Sequence, residues 1–97
     1  MDNLLQLFKI DLGITHNLRD AFFEVILESA KSEIEGKGIT LDVNKSEDIM
    51  LIIDYAAWLY RKRQENIPLS RSLQFRLHNR VIKEAGKPSA VVKIINQ

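Results

Sequence analysis

Residues 49–63 read IMLIIDYAAWLYRKR. Ile49, Ile52, Ile53, Ala56, Leu59 and Tyr60 recur at i, i+3, i+4, i+7 and beyond. That spacing puts them on one face of an α-helix. Met50, Ala57 and Trp58 widen the face, Asp54 interrupts it, and Arg61, Lys62 and Arg63 close it. The stretch predicts a central helix over about Glu47 to Glu65. Upstream, Asn44 and Glu47 have the spacing of a capping box, with Ser46 as a competing N-cap.

Working outward, Ile39, Leu41 and Val43 alternate with polar residues, as in a short extended link. Before it, Gly36 and Gly38 end a second predicted helix that runs to Glu35. Its apolar positions, from Leu18 through Phe22, Phe23, Ile26, Leu27 and Ala30 to Ile34, cover more than one narrow stripe, so it should touch neighbours on two sides. Asn17 followed by Asp20 resembles its start. Leu4, Leu5, Leu7, Phe8 and Ile10 suit a short amphipathic helix closed by Gly13. After the central helix, Asn66-Ile67-Pro68 is a tight connection. A last helix is predicted over about Ser70 to Ala85, with Leu73, Leu77 and Val81 on one line and Phe75 and Ile82 beside it. Gly86 and Pro88 stop it. The fold expected is therefore all-α, a small bundle of three to four helices over residues 1–86. Residues 87–97 form an extended C-terminal tail, expected to be mobile or docked on a partner.

The chain has 97 residues, enough for one core and too few for two. Hydrophobic residues make up 45% and charged residues 28%, the balance of a globular rather than a disordered chain. No cysteine is present, so thiol nucleophiles, disulfides and cysteine-ligated metals are excluded. Asp2, Lys9 and Asp11 break up the N-terminus, which does not read as a secretory signal. The longest apolar run, Ile49 to Tyr60, is well short of the roughly 20 residues of a membrane span.

Catalytic motifs are missing. There is no glycine-rich phosphate loop, no HExxH and no G-x-S-x-G elbow, and His16 and His78 are too isolated for a zinc site. No catalytic, metal or cofactor residue is assigned, and no cofactor is expected. Asp54 reads as a structural carboxylate held by Arg61 or by an arginine of the next helix, rather than as an acid or base with a raised pKa. With Trp58 it is expected to lock the bundle.

Charge is unevenly spread. Residues 1–48 carry five bases and ten acids, a net of −5; residues 49–97 carry nine bases and three acids, a net of +6. Seven of those bases fall between Arg61 and Lys83. Two helices joined by a short turn and carrying those seven bases could be a helix-turn-helix DNA reader, with Ser70, Arg71, Ser72 and Gln74 at the start of the recognition helix. The apolar connection Ile67-Pro68-Leu69 is unlike the glycine-containing turn often found there. The same residues also suit protein–protein contact, because Trp, Tyr and Arg concentrate in interface hot spots. Arg61, Lys62, Arg63, Arg71 and Arg76 are the candidates in the helices. Val91, Val92, Ile94 and Ile95 are the candidates in the tail, whose apolar, strand-prone character suits docking on a partner.

Several pieces together resemble a known family. These are a leader ending in LGI, the spacing Ala30, Ile34, Gly38, the link ITLD, then DIMLIIDYAAWLYRKR and NIPLSRSLQFRLHNRVIKEAG. Over roughly residues 8 to 86 the chain is similar to the small head–tail connector, or adaptor, proteins of tailed bacteriophages and prophages. The most telling parts are D-Y-A-x-W-L-Y-x-x-R at Asp54 to Arg63 and the Pro68 to Arg80 segment. The resemblance implies a non-enzymatic virion subunit made in the bacterial host cytoplasm. Its copies would form a homo-oligomeric ring between the portal protein and a tail-proximal connector or stopper protein. The genome would pass through without sequence-specific binding. The resemblance also implies a C-terminal segment that orders on assembly, at the place of Val91 to Ile95. In such a ring Arg61, Lys62 and Arg63 would face an acidic neighbour or the passing DNA.

Overall fold

Four helices make up residues 2–86, the part of the chain that the computed structural model describes. They are α1 (Asp2–Leu12), α2 (Asp20–Gly36), α3 (Ser46–Glu65) and α4 (Arg71–Ala85), with no strand among the described residues. The fold is an all-α bundle. The four tail residues Val91, Val92, Ile94 and Ile95 lie outside the described residues.

Helix α3 is the shared wall. It packs against α1, α2 and α4. The apolar run is what permits this, because Leu51, Ile52, Ile53, Tyr55, Ala56 and Ala57 are all buried and point around more than half of the helix. Against it α1 places Leu4, Leu5 and Phe8, and α2 places Phe23, Ile26, Leu27, Ala30 and Ile34. Phe8, Phe23 and Tyr60 meet edge to face, with ring centroids 5.8 and 5.7 Å apart, the geometry that aromatic quadrupoles favour. Helix α4 adds only Leu73 and Leu77 to the fully buried set. No helix among the described residues is long and apolar enough to cross a membrane.

The starts of the helices depart from the sequence reading. Asn17 does not cap α2: its Oδ1 accepts from Lys9 Nζ at 2.8 Å, and the N-cap position is Arg19, without a side-chain cap bond. The physical reason is Lys9, which is buried on α1 and must find acceptors; it takes Asn17 and also Asp20, at 2.8 Å. Neither Asn44 nor Ser46 caps α3. Lys45 holds that position without a side-chain bond, Ser46 is already helical, and Asp42 Oδ1 accepts from the Asn44 N–H at 2.9 Å. Of α2, α3 and α4, only α4 has a conventional cap, with Ser70 Oγ accepting from the Leu73 N–H at 3.1 Å. The 39–43 link is irregular and ends in a turn. Ile39 is buried, Leu41 half-buried and Val43 exposed, so the three do not share an environment.

The α3–α4 connection begins at Asn66, in the left-handed region at φ 53°, with its N–H donating to Lys62 O at 2.9 Å. Asn tolerates that conformation better than most residues. Gly38 closes α2 at φ 94°, whereas Gly36 is an ordinary helical residue, and a Cβ at either meets nothing within 4 Å. Backbone preference alone therefore separates them. Gly36→Ala should raise the unfolding free energy by about 0.5–1 kcal/mol, and Gly38→Ala should lower it by about 1–3 kcal/mol. Urea melts followed by circular dichroism would read both, and equal effects of the same sign would contradict this account.

Candidate interaction surface

The seam between α3 and α4 is electrostatic as much as apolar. Two carboxylates on α3 meet two guanidinium groups on α4 in antiparallel order. Asp54 Oδ2 accepts from Arg76 Nη1 at 2.7 Å, and Asp48 Oδ1 accepts from Arg80 Nη1. The two pairs differ in burial. The Asp48 side chain is 4% exposed and that of Arg80 13%; Asp54 and Arg76 are 35% and 39% exposed. Arg80 also donates from Nη2 to Thr40 O at 3.1 Å, with Glu47 and Glu84 carboxylates each 3.7 Å away. Asp48 Oδ2 accepts from the Asp42 N–H at 2.7 Å. One buried pair thus joins the 39–45 link, α3 and α4.

Burial works to raise the Asp48 pKa. The hydrogen bond from Arg80, the one from the Asp42 N–H and the nearby Arg80 and Lys45 charges outweigh it and hold the carboxyl below its usual value. Arg80 is raised in turn, first by its bond to Asp48. Tyr55 is also raised, by burial and then by the Glu33 carboxylate, to which its hydroxyl donates at 2.8 Å.

The candidate interface residues fall into different roles. Trp58 Nε1 donates to Ile67 O at 2.9 Å and so fixes the α3–α4 connection. Lys62 Nζ lies 4.8 Å from the centroid of the Trp58 ring. The Arg63 guanidinium lies 4.9 Å from the Phe22 centroid, and Arg19 lies 4.5 Å from the same ring. Arg76 is engaged by Asp54. Arg61 is exposed and lines a cleft of about 410 Å³ together with Asp11, Asp54, Trp58, Leu73 and Arg76. Arg71 is exposed at the start of α4, and among the described residues it has no ion-pair partner. The structure therefore gathers Arg61, Arg76, Asp54 and Trp58 at one cleft, turns Lys62 and Arg63 onto aromatic rings, and leaves Arg71 apart. Among the described residues no group of three His, Asp or Glu side chains is disposed to hold a metal ion.

Asp48 and Lys9 are the buried charges that the sequence reading missed, with Arg80 the half-buried partner of Asp48. Asp48 looks like an acidic residue at a helix start, and its burial depends on Arg80, distant in sequence. The exposed faces also differed from expectation. Phe75 is 68% and Ile82 57% exposed, pointing away from α3. Comparison of the chain with protein-family models, with curated proteins and with solved structures gives no match.

The two ion pairs should be unequal in stability. Asp48→Ala removes the nearest partner of Arg80, which keeps only the Glu47 and Glu84 carboxylates at 3.7 Å and Thr40 O, and should cost about 1.5–3 kcal/mol, whereas Asp54→Ala breaks a half-exposed pair and should cost about 1 kcal/mol or less. Chemical denaturation of the two variants side by side tests this; a larger loss at Asp54 would reverse the ranking. The pH dependence has a definite sign. The folded-state pKa of Asp48 lies below the ordinary 3.8, so its contribution is complete above that value. It is lost as pH falls from there through the lowered pKa. Unfolding free energy measured on acidification should therefore fall less in Asp48→Asn than in the unmodified chain, and parallel curves would contradict the assignment.

Proposed function

We propose that the chain is a non-enzymatic structural subunit, a phage head–tail connector whose copies pack side by side in a ring between portal and tail components. The observation that carries this reading is the disposition of charge and apolar surface around a tight four-helix bundle. The interior cations are engaged by acids or rings of the same chain, while α2 and α4 turn unlike surfaces outward from the bundle. A subunit with two different outward faces is suited to a heterologous, head-to-tail contact, the kind that generates rings. The resemblance at Asp54 to Arg63 and Pro68 to Arg80 supports the same reading and supplies its biological setting.

Sequence-specific DNA binding is the second reading, favoured by Arg71 and Ser72, which stand exposed at the N-terminal end of α4. Most of the other polar groups on that helix are engaged within the chain. Ser70 caps the helix, Gln74 Nε2 donates to Leu69 O at 2.8 Å, and Arg76 and Arg80 hold α3. A recognition helix would present such groups to base edges.

Light scattering across a concentration series distinguishes the two. A connector subunit should show a mass that climbs with concentration above the 11.2 kDa monomer, reduced when residues 87–97 are removed, and negligible binding to duplex DNA. A strict monomer that binds duplex DNA with steep salt dependence would replace the assembly reading with the second one.

A further inference from the structure

Helices α2 and α4 both pack on α3, and each also turns a face away from it. Helix α3 turns Asp48, Leu51 and Asp54 toward α4, and Tyr60 toward the Phe22 and Phe23 rings of α2. Each outer helix therefore keeps one face toward the core and one toward solvent.

The outward face of α2 is a shallow groove of about 480 Å³, lined by Ala21, Glu24, Val25, Glu28, Ser29 and Ser32. Its floor is small residues and one exposed valine, and its charges are two carboxylates. The outward face of α4 is the reverse. Arg71, Phe75 and Ile82 recur at i, i+4 and i+11, so they share one line along the helix. Phe75 and Ile82 protrude, exposed, while Arg76 and Arg80 on the inner side are held by α3. Of the exposed cations of α4, Arg71 stands on this line, while Lys83 stands at its edge and also borders the cleft with Glu47, Arg76 and Arg80.

The two faces match in sign and in relief. Phe75 and Ile82 are seven residues apart, about 10.5 Å along a helix. Ala21 and Glu28, and Val25 and Ser32, are separated by the same interval on α2. A protruding aromatic and an isoleucine can therefore seat over two turns of a helix paved with Ala and Ser, with cations meeting Glu24 and Glu28. Within one chain both faces point away from the core, so they can meet only between molecules.

We infer that the outward face of α4 of one copy docks in the α2 groove of the next, and that this is the head-to-tail contact of the assembly. The inference rests on the assembly reading above and names its mating surfaces. Because the two faces differ, each copy offers one of each, and the contact propagates rather than stopping at a two-fold dimer.

The test uses the full-length chain and two charge-reversed variants, Glu24→Lys/Glu28→Lys on α2 and Arg71→Glu/Lys83→Glu on α4. Circular dichroism first verifies that each is folded. Like charges then oppose each other in either variant alone, which should raise the midpoint concentration of self-association by about tenfold or more. Mixed in equal amounts, each variant offers the other a complementary face, and association should return. Phe75→Ser, at an exposed position, should weaken association without altering the melt and covers the case in which a charge reversal misfolds. Unmodified chains that associate while the folded variants associate equally well would overturn these faces and leave the assembly reading standing. Weakened variants that are not rescued by mixing would show that the two faces do not meet each other. An unmodified chain that stays monomeric throughout would overturn the contact and the assembly reading together.

Discussion

The placement of α4 depends on one buried ion pair. Helix α4 contributes only Leu73 and Leu77 to the fully buried core, too little apolar surface to fix both its rotation and its register on α3. The Asp48–Arg80 pair supplies what is missing, because a buried charge must meet its partner and its other polar groups must be satisfied. Arg80 does this by donating to Asp48 and to Thr40 O, with Asp48 completed by the Asp42 N–H. Slipping α4 by one residue would turn the guanidinium away from all of these. The same constraint that seats Leu73 and Leu77 inward sets Phe75 and Ile82 outward.

The parts of this arrangement that were legible in the sequence are those governed by local periodicity. The run from Ile49 to Tyr60, the line Leu73, Leu77, Val81 and the glycine stops were enough to give a bundle of three to four helices and their approximate ends. The parts that were not legible depend on contacts across the chain. Asp54 stood out because its sequence neighbours are apolar, yet it lies at the rim of the seam. Asp48 is the buried one, through a partner 32 residues away. The caps failed for a related reason. Asn17 has the right side chain at a plausible place, but a buried lysine from α1 claims its oxygen first. Phe75 was legible and misread: at 3.6 residues per turn it falls on the far side of the helix from Leu73 and Leu77, not beside them.

The imbalance of charge along the chain acquires a double meaning in three dimensions. Part of it is internal. Arg76 and Arg80 from the basic half meet Asp54, Asp48 and Glu47, so α4 is drawn onto the rest of the bundle by opposite charge. Other cations lie over aromatic rings, as Lys62 does over Trp58 and Arg63 over Phe22. What remains outside is a smaller residue of the same asymmetry, carboxylates on α2 and cations on α4. Net charge near zero with separated signs favours association over colloidal repulsion, and here the separation follows two surfaces of different relief.

Exposure of single apolar side chains is ordinary in a folded protein. The case of Phe75 and Ile82 is narrower. They stand in line on the helix that contributes least to the core, and the ion pairs that fix its register also prevent it from rotating them inward. For an isolated chain this is an unfavourable arrangement with an easy remedy, since polar residues at either position would leave the buried line and both ion pairs untouched. In an assembling subunit the same two side chains are the apolar centre of a contact whose rim is charged, the usual anatomy of a protein interface. The register of α4 would then be the link between folding and assembly: Arg80 fixes it from within, and a neighbouring copy reads it from outside.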